Sequence, residues 1–198
     1  TIAGVGSSFK WDVTVGGQQT TTSSNGVDAG LVTKYPAPTV TSAASTNTLS
    51  TAGGSGTVFT VTGTNFGPGD DDDNEATVTY QNTGLSDLAG TQFTAGSCDV
   101  TSDTTIECEM AAGVGHDFTV TVKVGDQTGS GATTLSYAAP VISSLSPTTG
   151  LATTGSETVT LTGTYFGPNV DSNSVTASYD KSGGTDYLST TFTATGCD

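Results

Sequence analysis

The chain has 198 residues and carries only 4 basic side chains, all of them lysine, against 19 acidic ones, so its formal net charge is −15. Nucleic acids and anionic lipid surfaces are bound through clusters of basic side chains, so this charge excludes both kinds of partner. No apolar run reaches membrane-spanning length, and no membrane insertion is predicted for this segment. Threonine and valine are frequent while helix-forming residues are scarce, which predicts an all-β chain.

The first predicted strand lies near the N-terminus, where Phe9, Trp11, Val13 and Val15 alternate with other residues. A period of two is typical of a strand with one buried face. Trp11 stands at an inward position of this pattern, so we interpret it as a core residue. The alternative is a partly exposed indole that serves as a platform for a sugar ring.

Threonine and serine are concentrated in clusters after this strand and again near the C-terminus. The chain contains no Asn-x-Ser/Thr sequon, so N-glycosylation is not predicted. Dense hydroxyl clusters are typical of O-linked glycosylation, and the alternative is that threonine simply fills outward strand positions. The candidate O-glycosylation sites are Thr20, Thr21, Thr22, Ser23, Ser24, Thr190 and Thr191.

An internal repeat organises the rest of the chain. The motif Thr-Gly-Thr-x-Phe-Gly-Pro at residues 62–68 recurs at residues 162–168. An Ala-Gly-Val-Gly turn followed by alternating apolar residues occurs at residues 3–16 and again at residues 112–125. Repeats of this kind indicate tandem domains.

The repeat divides the chain into three parts. Residues 38–139 form one complete unit, residues 1–37 the C-terminal part of a preceding unit, and residues 140–198 the N-terminal part of a further unit. We expect either that the chain is a stretch of a longer covalent array, with Asp198 continuing into Thr1 of a next copy, or that the tail of one copy completes the head of its neighbour. Either arrangement is a head-to-tail contact between copies, which builds an open filament.

An acidic run follows the first copy of the motif. Oxygen ligands on a loop suit Ca²⁺, although the run lacks the spacing of an EF-hand loop, and the alternative is a solvated acidic loop. The calcium candidates are Asp70, Asp71, Asp72 and Asp73.

The three cysteines point to an oxidising compartment. Cys98 and Cys108 lie within one unit and bracket a polar segment, which predicts a disulfide between neighbouring strands. Cys197 matches Cys98 in the repeat, and its partner is not identified. We therefore expect an extracellular or cell-surface location.

His116 is the only histidine and lies beside Asp117 in a turn before a strand. No Gly-x-Ser-x-Gly elbow accompanies it, so we interpret His116 as a surface turn residue and predict neither enzymatic activity nor a cofactor.

Residues 140–150, with Pro140, Pro147 and Gly150, followed by Gly163-x-x-Phe166, resemble the opening of the IPT/TIG family of immunoglobulin-like domains. The resemblance implies a tandem array of β-sandwich domains with a binding or spacing role and no reaction. It also implies scaffold roles for Gly163, which lets the strand leave the sheet, and for Phe166, which closes one end of the sandwich.

Two functions of different classes follow. The first is a structural building block of an extracellular rod or filament, O-glycosylated and assembled from copies of itself head to tail. The alternative is an adhesin or receptor ectodomain that binds a protein or a glycan, assisted by calcium. A third hypothesis, an accessory module of a carbohydrate-active enzyme, requires a catalytic domain elsewhere.

Overall fold

The computed structural model describes residues 2–19, 32–69, 76–82, 91–132, 135–168, 175–180, 192–194 and 197. Within these ranges the regular structure consists of strands without a helix, which confirms the all-β prediction. None of the described residues belongs to a helix able to cross a membrane. The chain divides into two compact units, Thr1–Ala138 and Ala139–Asp198.

The strands of the first unit are β1 (Phe9–Lys10), β2 (Thr14–Val15), β3 (Gln18–Gln19), β4 (Val32–Thr33), β5 (Thr39–Ala44), β6 (Val58–Thr64), β7 (Ala76–Gln81), β8 (Gln92–Thr94), β9 (Gly96–Ser102), β10 (Thr105–Glu109), β11 (Thr119–Val124) and β12 (Gln127–Ala132). Those of the second unit are β13 (Val141–Ser146), β14 (Thr160–Thr164), β15 (Ser178–Tyr179) and β16 (Phe192–Thr193).

Strands β5 to β12 form the central sandwich, which has two antiparallel four-stranded sheets in the orders β5-β6-β10-β9 and β12-β11-β7-β8. The facing sides of the two sheets bury one continuous apolar cluster. Phe59 on β6 meets Tyr80 on β7 across the gap, with ring centroids 5.9 Å apart and planes at 77°. Burying one large apolar side chain stabilises a fold by about 2–3 kcal/mol, so this shared core holds the two sheets together.

The alternation seen in the sequence decides which face of each strand enters the core. On β11, Val120, Val122 and Val124 are fully buried, while the residues between them are half-buried or exposed. A shift of one residue would turn all three valines to solvent, and burial therefore fixes the register with β7.

Strands β5 and β12 lie side by side where the two sheets meet. A Cβ atom on Gly131 would lie 2.5 Å from the carbonyl oxygen of Val40, and one on Gly129 would overlap the carbonyl of Pro38. Residue numbers rise together along these contacts, so β5 and β12 run in the same direction. The chain therefore enters the sandwich at one end and leaves it at the other.

The second unit repeats the first strand pair of the central sandwich. Strands β13 and β14 pair in the same register as β5 and β6. The register shifts at the same place in both pairs, between Ile142 and Ser144 in the second unit and between Val40 and Ser42 in the central sandwich. The repeat found in the sequence is therefore also a repeat of backbone geometry.

Gly63 and Gly163 occupy equivalent places where the strand leaves the sheet. A Cβ atom on Gly63 would overlap the carbonyl of Thr39 and lie 2.5 Å from Cζ of Phe66. A Cβ atom on Gly163 would likewise lie 2.6 Å from Cζ of Phe166. Only glycine allows the carbonyl and the ring to approach the backbone this closely.

Candidate functional site

The N-terminal segment, residues 2–19 and 32–37, lies against one end of the central sandwich. The amide of Ser7 donates to Oδ1 of Asp126 at 2.7 Å, and its hydroxyl donates to the other oxygen of the same carboxylate. Nε2 of Gln127 donates to the carbonyl of Tyr35 at 3.0 Å. We call these contacts the junction. The hydrogen bond from the Ser7 hydroxyl holds the pKa of the exposed Asp126 carboxyl below its ordinary value.

A turn of the N-terminal segment has the backbone conformation of the corresponding turn in the last part of the central sandwich. Gly6 and Gly115 have φ angles of 106° and 122°, and Ser8 and Asp117 have φ angles of 62° and 53°. Positive φ is uncommon outside glycine, so the agreement at Ser8 and Asp117 shows that both turns are built alike.

Side-chain and backbone contacts repeat as well. The amide of Tyr35 donates to the carbonyl of Gly6 at 3.0 Å, as the amide of Tyr137 donates to the carbonyl of Gly115 at 2.9 Å. The hydroxyl of Tyr35 donates to the carbonyl of Ile2, as Tyr137 donates to Ala111. The rings of Phe9 and Tyr35 meet edge to face at 5.5 Å, and those of Phe118 and Tyr137 meet edge to face at 5.7 Å.

The surroundings of the two copies differ, however. Phe118 and Val120 are buried in the central sandwich, whereas their counterparts Phe9 and Trp11 are 41% and 58% exposed. The interpretation of Trp11 as a core residue is therefore wrong for this structure. Its indole Nε1 donates to Oγ1 of Thr33 at 3.0 Å, and most of the ring surface remains open to solvent.

The second unit, Ala139–Asp198, also exposes large apolar side chains. Its strand β15 pairs with β16 as β7 pairs with β8, with Tyr179 opposite Phe192 and Tyr80 opposite Phe93. Among the described residues of this unit, the exposed large apolar side chains are Val141, Ile142, Leu145, Leu151, Val159, Phe166, Val175 and Tyr179. Tyr179 is 64% exposed, whereas its counterpart Tyr80 is fully buried.

An aromatic cluster shows how the two halves fit together in the complete domain. Tyr80 and Phe93 come from β7 and β8, while Phe118 and Tyr137 come from the part of the sandwich that the N-terminal segment repeats. The ring of Tyr80 stacks on Phe93 at 5.3 Å and meets Phe118 edge-on at 5.2 Å. Aromatic pairs add stabilisation beyond their buried area, so the cluster fastens one half of the domain to the other.

The hydroxyls of this cluster are also satisfied. The amide of Ala111 donates to the hydroxyl of Tyr80 at 2.9 Å, and the hydroxyl of Tyr137 donates to the Ala111 carbonyl at 2.7 Å. Burial raises the pKa of both tyrosines above the ordinary value of 10.0. Sequence reasoning missed this cluster, although the paired recurrence of Phe9 with Phe118 and of Tyr35 with Tyr137 was its signal.

The predicted disulfide is present between Cys98 on β9 and Cys108 on β10, neighbouring strands whose Cα atoms are 4.1 Å apart at these residues. Cys108 is buried in the core. Cys197 has no disulfide among the described residues and is half-buried.

Several candidate sites from the sequence lie outside the described residues. These are the calcium candidates Asp70, Asp71, Asp72 and Asp73 and the O-glycosylation candidates Thr20, Thr21, Thr22, Ser23, Ser24, Thr190 and Thr191. In the parts of the chain that the structure describes, no group of three or more His, Cys, Asp or Glu side chains is placed to hold a metal ion.

His116 lies on the surface, as its turn suggested. Its Nδ1 is 2.8 Å from Oδ2 of Asp117, and both side chains are more than half exposed. The hydroxyl of Ser136 accepts from the backbone amide of Asp117, and the side-chain amide of Asn82 donates to the His116 carbonyl. These contacts hold the turn and do not align a nucleophile with the imidazole.

Comparison with known families gives one result. A family model described as IPT/TIG domain matches residues 38–137 and residues 140–194. No curated protein and no solved structure matches the chain.

Proposed function

Because this chain belongs to the IPT/TIG domain family, whose immunoglobulin-like domains occur in extracellular and receptor proteins and are typically non-catalytic, we propose that it is a structural building block of an extracellular rod or filament. The filament is made of tandem IPT/TIG-like domains, and its partners are further copies of the chain, head to tail.

One observation carries this proposal: the N-terminal segment and the second unit expose the counterparts of residues that the central sandwich buries. Trp11 and Tyr179 are both more than half exposed, while their counterparts Val120 and Tyr80 are fully buried. Apolar surface of this kind marks an interface. The two surfaces differ, so contacts between them are heterologous and extend a string of copies instead of closing a symmetric dimer.

The direction of the chain through the central sandwich supports a rod. Strands β5 and β12 run the same way, so entry and exit lie at opposite ends of the domain. At the junction, Ser7 contacts Asp126 and Gln127 contacts Tyr35. These contacts hold the N-terminal segment against one end of the central sandwich.

The extracellular part of the proposal rests on chemistry. The disulfide between Cys98 and Cys108 is of a kind that persists outside the reducing cytosol. The net charge of −15 keeps long assemblies soluble. O-linked glycans on the threonine and serine clusters complete the proposal, with Thr20 to Ser24, Thr190 and Thr191 as candidate sites.

The alternative function is an adhesin or receptor ectodomain that binds a protein or glycan, assisted by calcium at Asp70 to Asp73. The exposed indole of Trp11 favours it, because a flat aromatic face suits stacking on a sugar ring.

Electron microscopy of the native extracellular material tests the choice. A filament whose axial repeat is a whole number of domain lengths would support the proposal. Separate rods or monomers of fixed length would contradict the filament and favour the adhesin.

A further inference from the structure

We propose that Ser7 and Asp126 form a clamp that fixes the orientation of the N-terminal segment relative to the central sandwich. Without the clamp the segment stays folded, but its angle to the sandwich varies. The clamp acts within one chain, so its existence does not depend on a filament.

The clamp engages both oxygens of one carboxylate. The backbone amide of Ser7 donates to Oδ1 of Asp126 at 2.7 Å, and the Ser7 hydroxyl donates to Oδ2. Hydrogen bonds to an ionised carboxylate are roughly twice as strong as those between neutral groups. Two bonds to one rigid group also define an angle as well as a distance, so they restrict rotation at the junction.

The backbones of the two parts approach each other closely beside the clamp. Gly125 has a φ angle of 57°, and a Cβ atom on it would lie 3.1 Å from Cα of Gly6. A Cβ atom on Gly6 would lie 3.2 Å from Oδ1 of Asp126. Glycine at both positions therefore leaves room for the carboxylate to reach the Ser7 amide.

The hairpin that carries Asp126 does not need its carboxylate. Strands β11 and β12 are joined through Gly125 and Asp126, and the equivalent hairpin of β2 and β3 is joined through Gly16 and Gly17. Gly16 and Gly125 have similar φ angles of 60° and 57°. The equivalent hairpin thus forms with glycine in place of Asp126, so we assign the carboxylate a role at the junction.

The turn that carries Ser7 does not need its hydroxyl either. The equivalent residue in the central sandwich is His116, and the residues that follow, Ser8 and Asp117, have φ angles of 62° and 53°. Both turns therefore have the same conformation with different residues at this position. Neither Ser7 nor Asp126 is required by its own turn, and what the two share is their contact across the junction.

The other hydrogen bond of the junction does not define an angle. Nε2 of Gln127 donates to the carbonyl of Tyr35 at 3.0 Å. One bond between neutral groups permits rotation about itself, whereas the clamp adds two further points of attachment. Removal of the clamp should therefore release the angle of the segment while this contact keeps it close to the sandwich.

Spin labels test the orientation in the whole chain with Cys197→Ser and the native disulfide intact. Lys10→Cys places one label on β1 of the segment, and Thr62→Cys places the other on β6 of the sandwich, both at exposed positions. Double electron–electron resonance measures the distribution of distances between the labels. We expect one narrow distribution with the clamp intact. Asp126→Gly, which introduces the residue of the equivalent hairpin, should widen the distribution about twofold, because further orientations become populated.

Two further variants show whether the clamp acts as a pair. Ser7→Ala should widen the distribution less than Asp126→Gly does, because the backbone amide still donates to the carboxylate. Added to Asp126→Gly, it should widen the distribution no further, since the hydroxyl has already lost its carboxylate partner. Asp99→Asn is the matched control, because it removes an exposed carboxylate from β9 and should leave the width unchanged.

Hydrogen exchange separates a change of angle from unfolding of the segment. The amide of Tyr35 donates to the carbonyl of Gly6 within the segment, so it should stay protected in Asp126→Gly. The Ser7 amide should exchange on the order of tenfold faster in the same variant. An unchanged width of the distance distribution with Asp126→Gly would overturn the proposal, and so would loss of protection at Tyr35. Neither outcome bears on the filament, which electron microscopy of the native material tests separately.

Discussion

The hydroxyl oxygens of Tyr80 and Tyr137 lie 2.8 Å apart in the core of the central sandwich, although 57 positions separate the two residues in sequence. One belongs to β7 and the other follows β12, so this contact joins the first half of the domain to the second. The second unit repeats strands of the first half, and the N-terminal segment repeats the end of the second half. The contact between Tyr80 and Tyr137 therefore bears on the folding of the central sandwich.

The buried tyrosine pair predicts alkaline unfolding. Burial raises both pKa values above 10.0, so in the folded state the hydroxyls keep their protons while the unfolded chain loses them. A raised folded-state pKa means that the stabilisation is complete below about pH 10 and falls as pH rises further. We expect the free energy of unfolding to drop steeply above pH 10, measured by urea titration. Normal titration of all tyrosines at 295 nm without unfolding would contradict this.

Removal of one hydroxyl should destabilise the sandwich. Tyr137→Phe leaves the carbonyl of Ala111 and the hydroxyl of Tyr80 each short of a partner, at a cost of about 1–3 kcal/mol. Tyr80→Phe should cost a similar amount, and the double variant less than the sum, since the two hydroxyls share one network. Urea unfolding of the native chain, the two single variants and the double variant measures the coupling energy between the two hydroxyls. Strictly additive losses of stability would argue against a shared network.

Loss of the disulfide should destabilise the central sandwich while its fold is retained. Cys98 and Cys108 are separated by 10 positions, a loop whose closure contributes about 2–3 kcal/mol. Cys98→Ala with Cys108→Ala avoids placing a hydroxyl in the core, where Cys108 is buried. Thermal unfolding followed by circular dichroism measures the loss. An unchanged melting temperature would show that the sheet alone sets the spacing of β9 and β10.

Gly63→Ala should destabilise the sandwich strongly. The added methyl group would overlap the Thr39 carbonyl and press on the ring of Phe66, and such overpacking costs about 1–3 kcal/mol or more. Gly56→Ala is the matched control, because a Cβ atom there meets nothing within 4 Å. We expect the control to stay within about 0.5 kcal/mol of the native chain. Equal melting temperatures for the two variants would contradict the close approach.

Acid should weaken the contact between the N-terminal segment and the central sandwich. The hydrogen bond from Ser7 lowers the pKa of Asp126 below its ordinary value of 3.8. The ionised carboxylate therefore stabilises the junction fully above that ordinary pKa. This stabilisation is lost as the pH falls through the lowered pKa. Trp11 is the only tryptophan, so its fluorescence anisotropy reports the motion of the segment. Asp126→Asn should show a flattened pH dependence.

Composition and strand periodicity were enough to predict the fold class, and recurring motifs were enough to find the repeat, because each is a local property of the sequence. The valines of β11 alternate and are buried as that pattern requires. Trp11 lies in the same alternating pattern as these valines but is exposed. Burial also requires a second sheet that packs against the strand, and periodicity does not show whether one is present. The contact between Ser7 and Asp126 spans 119 positions and leaves no periodic signal, so sequence reasoning missed it.

The parallel course of β5 and β12 has a mechanical consequence. In the proposed filament, a pulling force along the string of domains would act on β5 at one end of the sandwich and on the segment after β12 at the other. The force then slides β5 lengthwise against β6, and all their backbone hydrogen bonds bear the load together instead of opening one by one. Gly129 and Gly131, which let the two strands lie close, thus permit a geometry suited to resisting tension.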